Sequence, residues 1–291
     1  MNKAYKKIDI VASNPWFVVS GTVSSVAGFL WFLYDKWNEN TGILSTVIFG
    51  LCLLIMLLGY TYSIKVRAEN IALKGIAKTF GEINEIYRDT LKRLFSDNEP
   101  ETDPYCLVRE EEAVLQAICQ RIGDIFSRLT NRSCAITIKL LFEENNIYYA
   151  KTLTRSEAKS SRDKGHRVLY EVGTGENLAF DIASRKENGH ADAHFYSADL
   201  NKENHYTNQR INYINYYKSV LIVPIRGVNL GKEGTIKEFD NIGFLCVDTM
   251  SINRLNNKFH LYMLSSLSNQ MYNFMSLMRG KYRIFVGEKN E

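Results

Sequence analysis

The sequence predicts an α+β domain, an antiparallel sheet flanked by helices, preceded by two transmembrane helices and a helical stalk. Three observations predict it. Two uncharged runs lie near the start, and an apolar stripe at spacings of three and four follows them. Beyond a polar break, the elements run helix, hairpin, strand, helix, strands, helix. The 291 residues are 45% hydrophobic and 23% charged, which excludes a disordered or low-complexity chain. A net charge of +4 is too small an excess to indicate a nucleic-acid partner. Residues 1–82 hold 8 Lys/Arg against 5 Asp/Glu and the rest hold 28 against 27, so the basic excess lies beside the most apolar region.

The first run, PWFVVSGTVSSVAGFLWFLY at residues 15–34, and the second, GILSTVIFGLCLLIMLLGYTY at 42–62, are each long enough to cross a hydrocarbon core of about 30 Å as a helix. Trp16, Phe17, Trp31, Tyr34 and Trp37 mark the ends of the first, and Tyr60 and Tyr62 the far end of the second. The length of the first run and the closeness of the second argue against a cleaved leader. The connection DKWNENT, residues 35–41, allows only a tight hairpin, so residues 1–62 read as a two-helix membrane hairpin. Lysines 3, 6 and 7 precede it, and Lys65, Arg67, Lys74 and Lys78 follow it. Both termini and the following domain are therefore expected on the cytoplasmic side of the cell inner membrane. Ser20, Ser24 and Gly28 form a small-residue face, suited equally to contact within the hairpin or between subunits.

In residues 63–95, Leu73, Ile76, Phe80, Ile83, Tyr87, Leu91 and Leu94 make the stripe of a helical stalk. Two copies could zip along it into a coiled coil, making the chain a homodimer or higher homo-oligomer, or it could pack on its own domain. SDNEPETDP at 96–104 reads as a linker. The domain proper, 105–280, begins with a helix at 108–129. Strands follow at 135–142 and 147–153, joined by EENN, and another at 168–172. A short helix comes after Gly173 and Gly175, then apolar strands at 220–226 and 242–248 and an amphipathic helix at 259–278. Residues 281–291 are left as a tail.

GENLAFDIASRKENG after the third strand, and SVLIVPIRG followed by IGFLCVDT, resemble the marked segments of GAF domains, and the resemblance covers roughly residues 107–279. It implies a GAF-like sensor domain with a ligand pocket between the sheet and the segments covering it. Carried onto this chain, those segments hold Phe180 and Asp181, then the stretch 190–217 with His194, Tyr196, Tyr206, Tyr213 and Tyr216. Aromatic faces with a few polar tips suit a planar hydrogen-bonding ligand such as a nucleotide base, or else a ligand-free packed cap. NNKFHLYML at 256–264 lacks the acidic pair of the cyclic-GMP-binding members, so that ligand is not carried over.

Other chemistry is sparse. His190 and His194 fall in an expected loop rather than on a helix, so neither a metal nor a cofactor is expected. Gly173-Thr-Gly175 is too short for a phosphate loop and reads as a turn. The basic residues from Lys151 through Arg155 to Arg167 read as a solvated loop, with phosphate or anionic lipid as the alternative. Five cysteines at 52, 106, 119, 134 and 246 include no Cys-x-x-Cys pair. Cys134 and Cys246 admit a GAF-fold thiol redox enzyme only as a distant alternative, and no enzyme is expected. The function expected is that of a membrane-anchored cytoplasmic sensor which binds a small ligand and signals through the stalk to its hairpin. The alternative is a two-helix membrane-disrupting effector of a bacterial antiviral nucleotide-signalling system.

Overall fold

The computed structural model describes residues 25–26, 28–30, 42–95, 104–156, 168–185, 194–203, 206–208, 212–230, 236–255 and 258–288. Contacts divide the chain into two units, Met1–Ile71 and Ala72–Glu291. Most of the first expected span and the loop 35–41 lie outside the described residues. The second expected span falls within helix α1, Gly42–Leu94. Among the described residues, no helix is long and apolar enough to cross a membrane. In the first unit, Leu51, Leu54, Leu57 and Leu58 of α1 are exposed.

The second unit is an α+β domain. Its sheet has six strands in the order β3-β2-β1-β6-β5-β4, every neighbouring pair antiparallel. The strands are β1 (Ala135–Glu144), β2 (Ile147–Arg155), β3 (Leu169–Val172), β4 (Phe195–Ser197), β5 (Ser219–Leu230) and β6 (Ile236–Thr249). The helices of this unit are the Ala72–Leu94 part of α1, α2 (Pro104–Thr130), the short α3 (Leu178–Ser184) and α4 (Phe259–Glu288). Helix α4 continues through Glu288, beyond the end expected from its apolar spacing.

Pleating assigns alternate residues of each strand to opposite faces. Ile136 and Ile138 of β1, Leu221, Val223 and Ile225 of β5, and Leu245 and Val247 of β6 pack on the helical layer. There they meet Leu115, Ile118, Ile122, Ile125 and Phe126 of α2 and Leu264, Leu267, Met271 and Phe274 of α4. The stalk stripe joins the same core. Ile83 is fully buried, Leu94 is 1% exposed, Ile76 and Tyr87 are buried, and the Tyr87 and Phe274 rings lie 5.1 Å apart. Of the two uses the sequence left open for the stripe, packing on its own domain is the one seen in this chain.

The β1–β2 connection is a two-residue hairpin in which Glu144 pairs with Ile147. Asn145 and Asn146 both have positive φ, 53° and 63°, the conformation a tight hairpin requires and asparagine tolerates. Where β1 and β6 cross, a Cβ on Gly243 would stand 2.1 Å from the Lys139 carbonyl oxygen, so glycine there lets the two strands approach.

Candidate functional site

The sheet face turned away from the helical layer carries Phe244 and Cys246 of β6, Val220 and Ile222 of β5, and Ala150 of β2. Phe180 of α3 rests on it, 5.0 Å from the Phe244 ring and 5.8 Å from that of Tyr170. Asp181, the next residue, is buried for a local reason. Its carboxylate accepts from the backbone N–H groups of Gly173 at 2.6 Å and Gly175 at 2.8 Å. Those glycines have φ of 89° and 88°, so the turn needs residues without a Cβ and an acceptor to close it. The structure thus agrees with the turn reading of Gly173-Thr-Gly175.

An aromatic roof covers the same face. Phe195 and Tyr206 lie 5.6 Å apart, Tyr206 and Tyr213 4.9 Å, and Tyr213 and Tyr217 5.8 Å. The Asn208 side-chain amide donates to the Tyr206 hydroxyl at 3.0 Å and to the Tyr217 hydroxyl at 2.6 Å, clipping both phenols together. Burial raises the pKa of each phenol, so both stay protonated and able to donate. Thr207 ties the roof to the start of α3: its hydroxyl accepts from the Leu178 N–H at 3.0 Å and donates to the Gly175 carbonyl at 3.2 Å.

Between sheet and roof lies a cavity of about 60 Å³, room for a few water molecules. Phe180, Tyr206, Tyr216 and Tyr217 line it from above. Its floor mixes polar and apolar groups: Thr137 and Lys139 from β1, Arg155 from β2, Val220 and Ile222 from β5, and Cys246 and Asp248 from β6. Lys139 is 6% exposed, donates to the Thr152 hydroxyl at 3.0 Å, and holds its ammonium 3.9 Å from the centre of the Tyr170 ring.

Arg155 reaches this floor through a bulge. Lys139 pairs with Thr152, Ile138 with Thr154 and Thr137 with Arg155, leaving Leu153 as the extra residue. Leu153 packs on the helical layer, and the strand resumes with Arg155 opposite Thr137. Ser156 anchors the resumed register: its N–H donates to the Ile136 carbonyl and its hydroxyl accepts from the Ile136 N–H, both at 3.0 Å. Arg155 therefore belongs to a strand and to the cavity rather than to a solvated loop.

Of the expected site residues, Phe180, Tyr206 and Tyr216 line the cavity, and Tyr213 backs Tyr206. Asp181 closes the glycine turn. Tyr196 packs with the helical layer, its hydroxyl donating to the Leu255 carbonyl at 2.9 Å, and His194 precedes β4 without lining the cavity. His190 and His205 lie outside the described residues. Sequence reasoning singled out Tyr217 within the aromatic stretch and missed Lys139, Thr137, Asn177 and Asp248. The available clue was a lysine in the middle of the apolar strand AITIKLLF.

Cys119 lies in the helical-layer core, Cys246 on the cavity face of β6, and Cys106 is exposed. Cys119 and Cys246 are buried, and burial pushes the Cys246 thiol up to about 12, which leaves almost no thiolate at neutral pH. Among the described residues, no group of three or more His, Cys, Asp or Glu is arranged to hold a metal ion.

The six-stranded antiparallel sheet flanked by helices agrees with the fold implied by the GAF resemblance. Solved structures similar to the chain include the GAF domain of a Coxiella burnetii phosphoenolpyruvate-protein phosphotransferase. It shows 12% identity and a TM-score of 0.43, over 74% of this chain and 97% of that one. The corresponding Acinetobacter domain shows 14% identity and a TM-score of 0.41, over 72% and 96%. A type II free methionine-R-sulfoxide reductase from Thermoplasma acidophilum shows 15% identity and a TM-score of 0.37, over 62% and 96%. At these values the likenesses assign neither activity nor ligand. No family model matches the chain, and no curated protein matches it.

Proposed function

We propose that the chain is a membrane-anchored sensor whose GAF-like domain takes a small planar ligand between sheet and aromatic roof. The observation that carries this reading is the cavity itself. Phe180, Tyr206, Tyr216 and Tyr217 close over a floor of mixed polarity, offering ring faces above and a few hydrogen-bonding groups below. A ligand larger than a few water molecules displaces the Asn208-clipped phenols, and this coupling of occupancy to roof position gives the domain something to report. Helix α1 carries the report, since its Ala72–Leu94 part is built into the domain core and the same helix begins at Gly42.

The membrane part of the reading is supported by the uncharged runs and their lysine-rich flanks, and by the exposed leucines 51, 54, 57 and 58, which form one apolar side of α1. Both termini then face the cytoplasm. In a variant lacking the native cysteines, a cysteine at Asn38 should react with an impermeant thiol reagent on intact cells and one at Asn290 should not. Reaction at Asn290 alone would reverse the topology.

Ligand binding is tested on the full chain in detergent micelles by thermal shift against a panel of purines, pyrimidines and their nucleosides and nucleotides. At one hundred times its Kd, a bound compound stabilises the fold by about 2.7 kcal/mol. Phe180→Ala and Tyr206→Ala should abolish the shift in variants that retain their circular dichroism. A shift that survives both substitutions would move the ligand away from this cavity.

A further inference from the structure

Helices α1 and α2 run antiparallel in register: Arg93 pairs with Glu110, Arg121 with Glu82 at 3.3 Å, and a Cβ on Gly75 would lie 2.6 Å from the Arg128 guanidinium. The turn after α2, which holds Arg132, therefore stands level with the start of the second unit at Ala72. The same end of the sheet gathers the start of β1, where Ala135 pairs with Asp248, and the start of β5, where Ser219 pairs with Thr249. A groove there is lined by Arg132, by Lys218 just before β5, and by Met250, Ile252 and Arg254 from the β6–α4 connection. Two hydrogen bonds hold these connections together. The Thr249 hydroxyl donates to the Ser133 carbonyl at 2.8 Å, and the Asn253 N–H donates to the Ala198 carbonyl at 2.9 Å. Cations from three separate connections thus meet, with Met250 45% and Ile252 43% exposed among them. No carboxylate is among the described residues lining the groove, and nearby Asp199 is engaged by Lys202 and the Asn201 N–H. Apolar tips inside a basic collar match an anionic bilayer, which offers headgroup charge and an acyl boundary at once. The tether selects that partner over others. Ala72 follows Tyr62, the end of the second uncharged run, by ten positions, about 15 Å as a helix and about 35 Å fully extended.

We propose that this end of the domain docks on anionic lipid headgroups beside the membrane hairpin, with Arg132, Lys218 and Arg254 at the phosphates and Met250 and Ile252 at the acyl boundary. This rests on the membrane reading and is independent of any ligand in the cavity. The full chain is placed in nanodiscs of phosphatidylcholine alone and of equimolar phosphatidylcholine and phosphatidylglycerol, and hydrogen exchange is followed by mass spectrometry. Peptides covering residues 131–134 and 249–255 should exchange more slowly in the anionic discs, and about 0.5 M salt should remove the difference. Arg132→Gln, Lys218→Gln and Arg254→Gln should each weaken docking about fivefold, while exchange in the core of β1 and β6 stays as in the wild type. The salt comparison needs no variant, so it decides even where a substitution harms the fold. Equal exchange in both discs, in a chain that resists carbonate extraction from vesicles of the anionic mixture, overturns the docking and leaves the anchor standing. A chain that carbonate strips from those vesicles overturns the anchor and the docking together. Protection that persists in salt, or in all three variants, overturns the assignment to this groove. Protection produced by inorganic phosphate in the phosphatidylcholine discs would give the groove to a soluble oxyanion and overturn the lipid assignment.

Discussion

The Lys139 ammonium sits 3.9 Å from the centre of the Tyr170 ring and 5.5 Å from that of Phe180, so the buried charge on β1 is framed by two aromatic faces. A cation in that setting is attracted by both ring quadrupoles.

The stalk stripe provides the first prediction. Ile83 is fully buried against α2 and α4, whereas Leu73 on the same helix is 54% exposed. Ile83→Asp should lower stability by about 3 kcal/mol or more, since a carboxylate enters the core without a partner. Leu73→Asp should change it by about 0.5 kcal/mol or less. Denaturant unfolding followed by circular dichroism checks both, and equal tolerance would mean that the stripe lies outside the core.

Asp181 gives the second. Replacing it with Asn swaps one carboxylate oxygen for an amide N–H₂ opposite the N–H of Gly173 or Gly175. The expected loss is about 1.5–3 kcal/mol, and the β3–α3 turn should gain hydrogen-exchange rate before the rest of the sheet. Loss confined to ligand affinity, with the turn unchanged, would make Asp181 a ligand contact instead.

Thiol reactivity supplies the third. With the Cys246 thiol pushed up to about 12, only about one molecule in ten thousand carries the thiolate at pH 8. Exposed Cys106 should be alkylated by iodoacetamide first, and Cys119, Cys134 and Cys246 only on unfolding, as read by peptide mass mapping. Fast modification of Cys246 in the folded chain would reopen the redox alternative.

The fourth concerns pH. Burial raises Glu111 on α2 to about 7, with the nearby Arg279 of α4 opposing the shift. The folded state therefore holds the proton more tightly than the unfolded chain. Stability should decline as pH rises from about 4.5 to about 7 and level off above it. Glu111→Gln removes the charge, so it should raise the Tm at pH 8 and leave it nearly unchanged at pH 4. A lower Tm for Glu111→Gln at pH 8 would show that the charged form is the favoured one.

Most of the sheet was legible because its apolar runs are bounded by turn residues, as at Asn145 and Asn146. Strand β4 was not, since Phe195–Ser197 has three residues and no period to detect. Strands β5 and β6 extend past their apolar cores to Leu230 and Ile236, where the pairing continues without a hydrophobic pattern to announce it. The stalk stripe was plain, but spacings of three and four look the same whether a helix meets a second copy or its own domain. Within the site, the aromatic roof follows from composition. The cationic floor does not: Lys139 looks like an interruption of an apolar run, and Arg155 lies past an irregularity that shifts the alternation.

That irregularity has a consequence for kinship. Counted in twos from Thr152, Thr154 would share its face and Arg155 would point to the helices, yet the extra residue at Leu153 reverses the assignment. Pocket charge in this domain is thus governed by strand phase as much as by residue type. In this chain the two cations are written as Thr-x-x-Arg on one strand facing Thr-x-Lys on its neighbour. A homologue with every residue retained but the strand paired in unbroken alternation would present a threonine to the cavity and bury its arginine toward the helices.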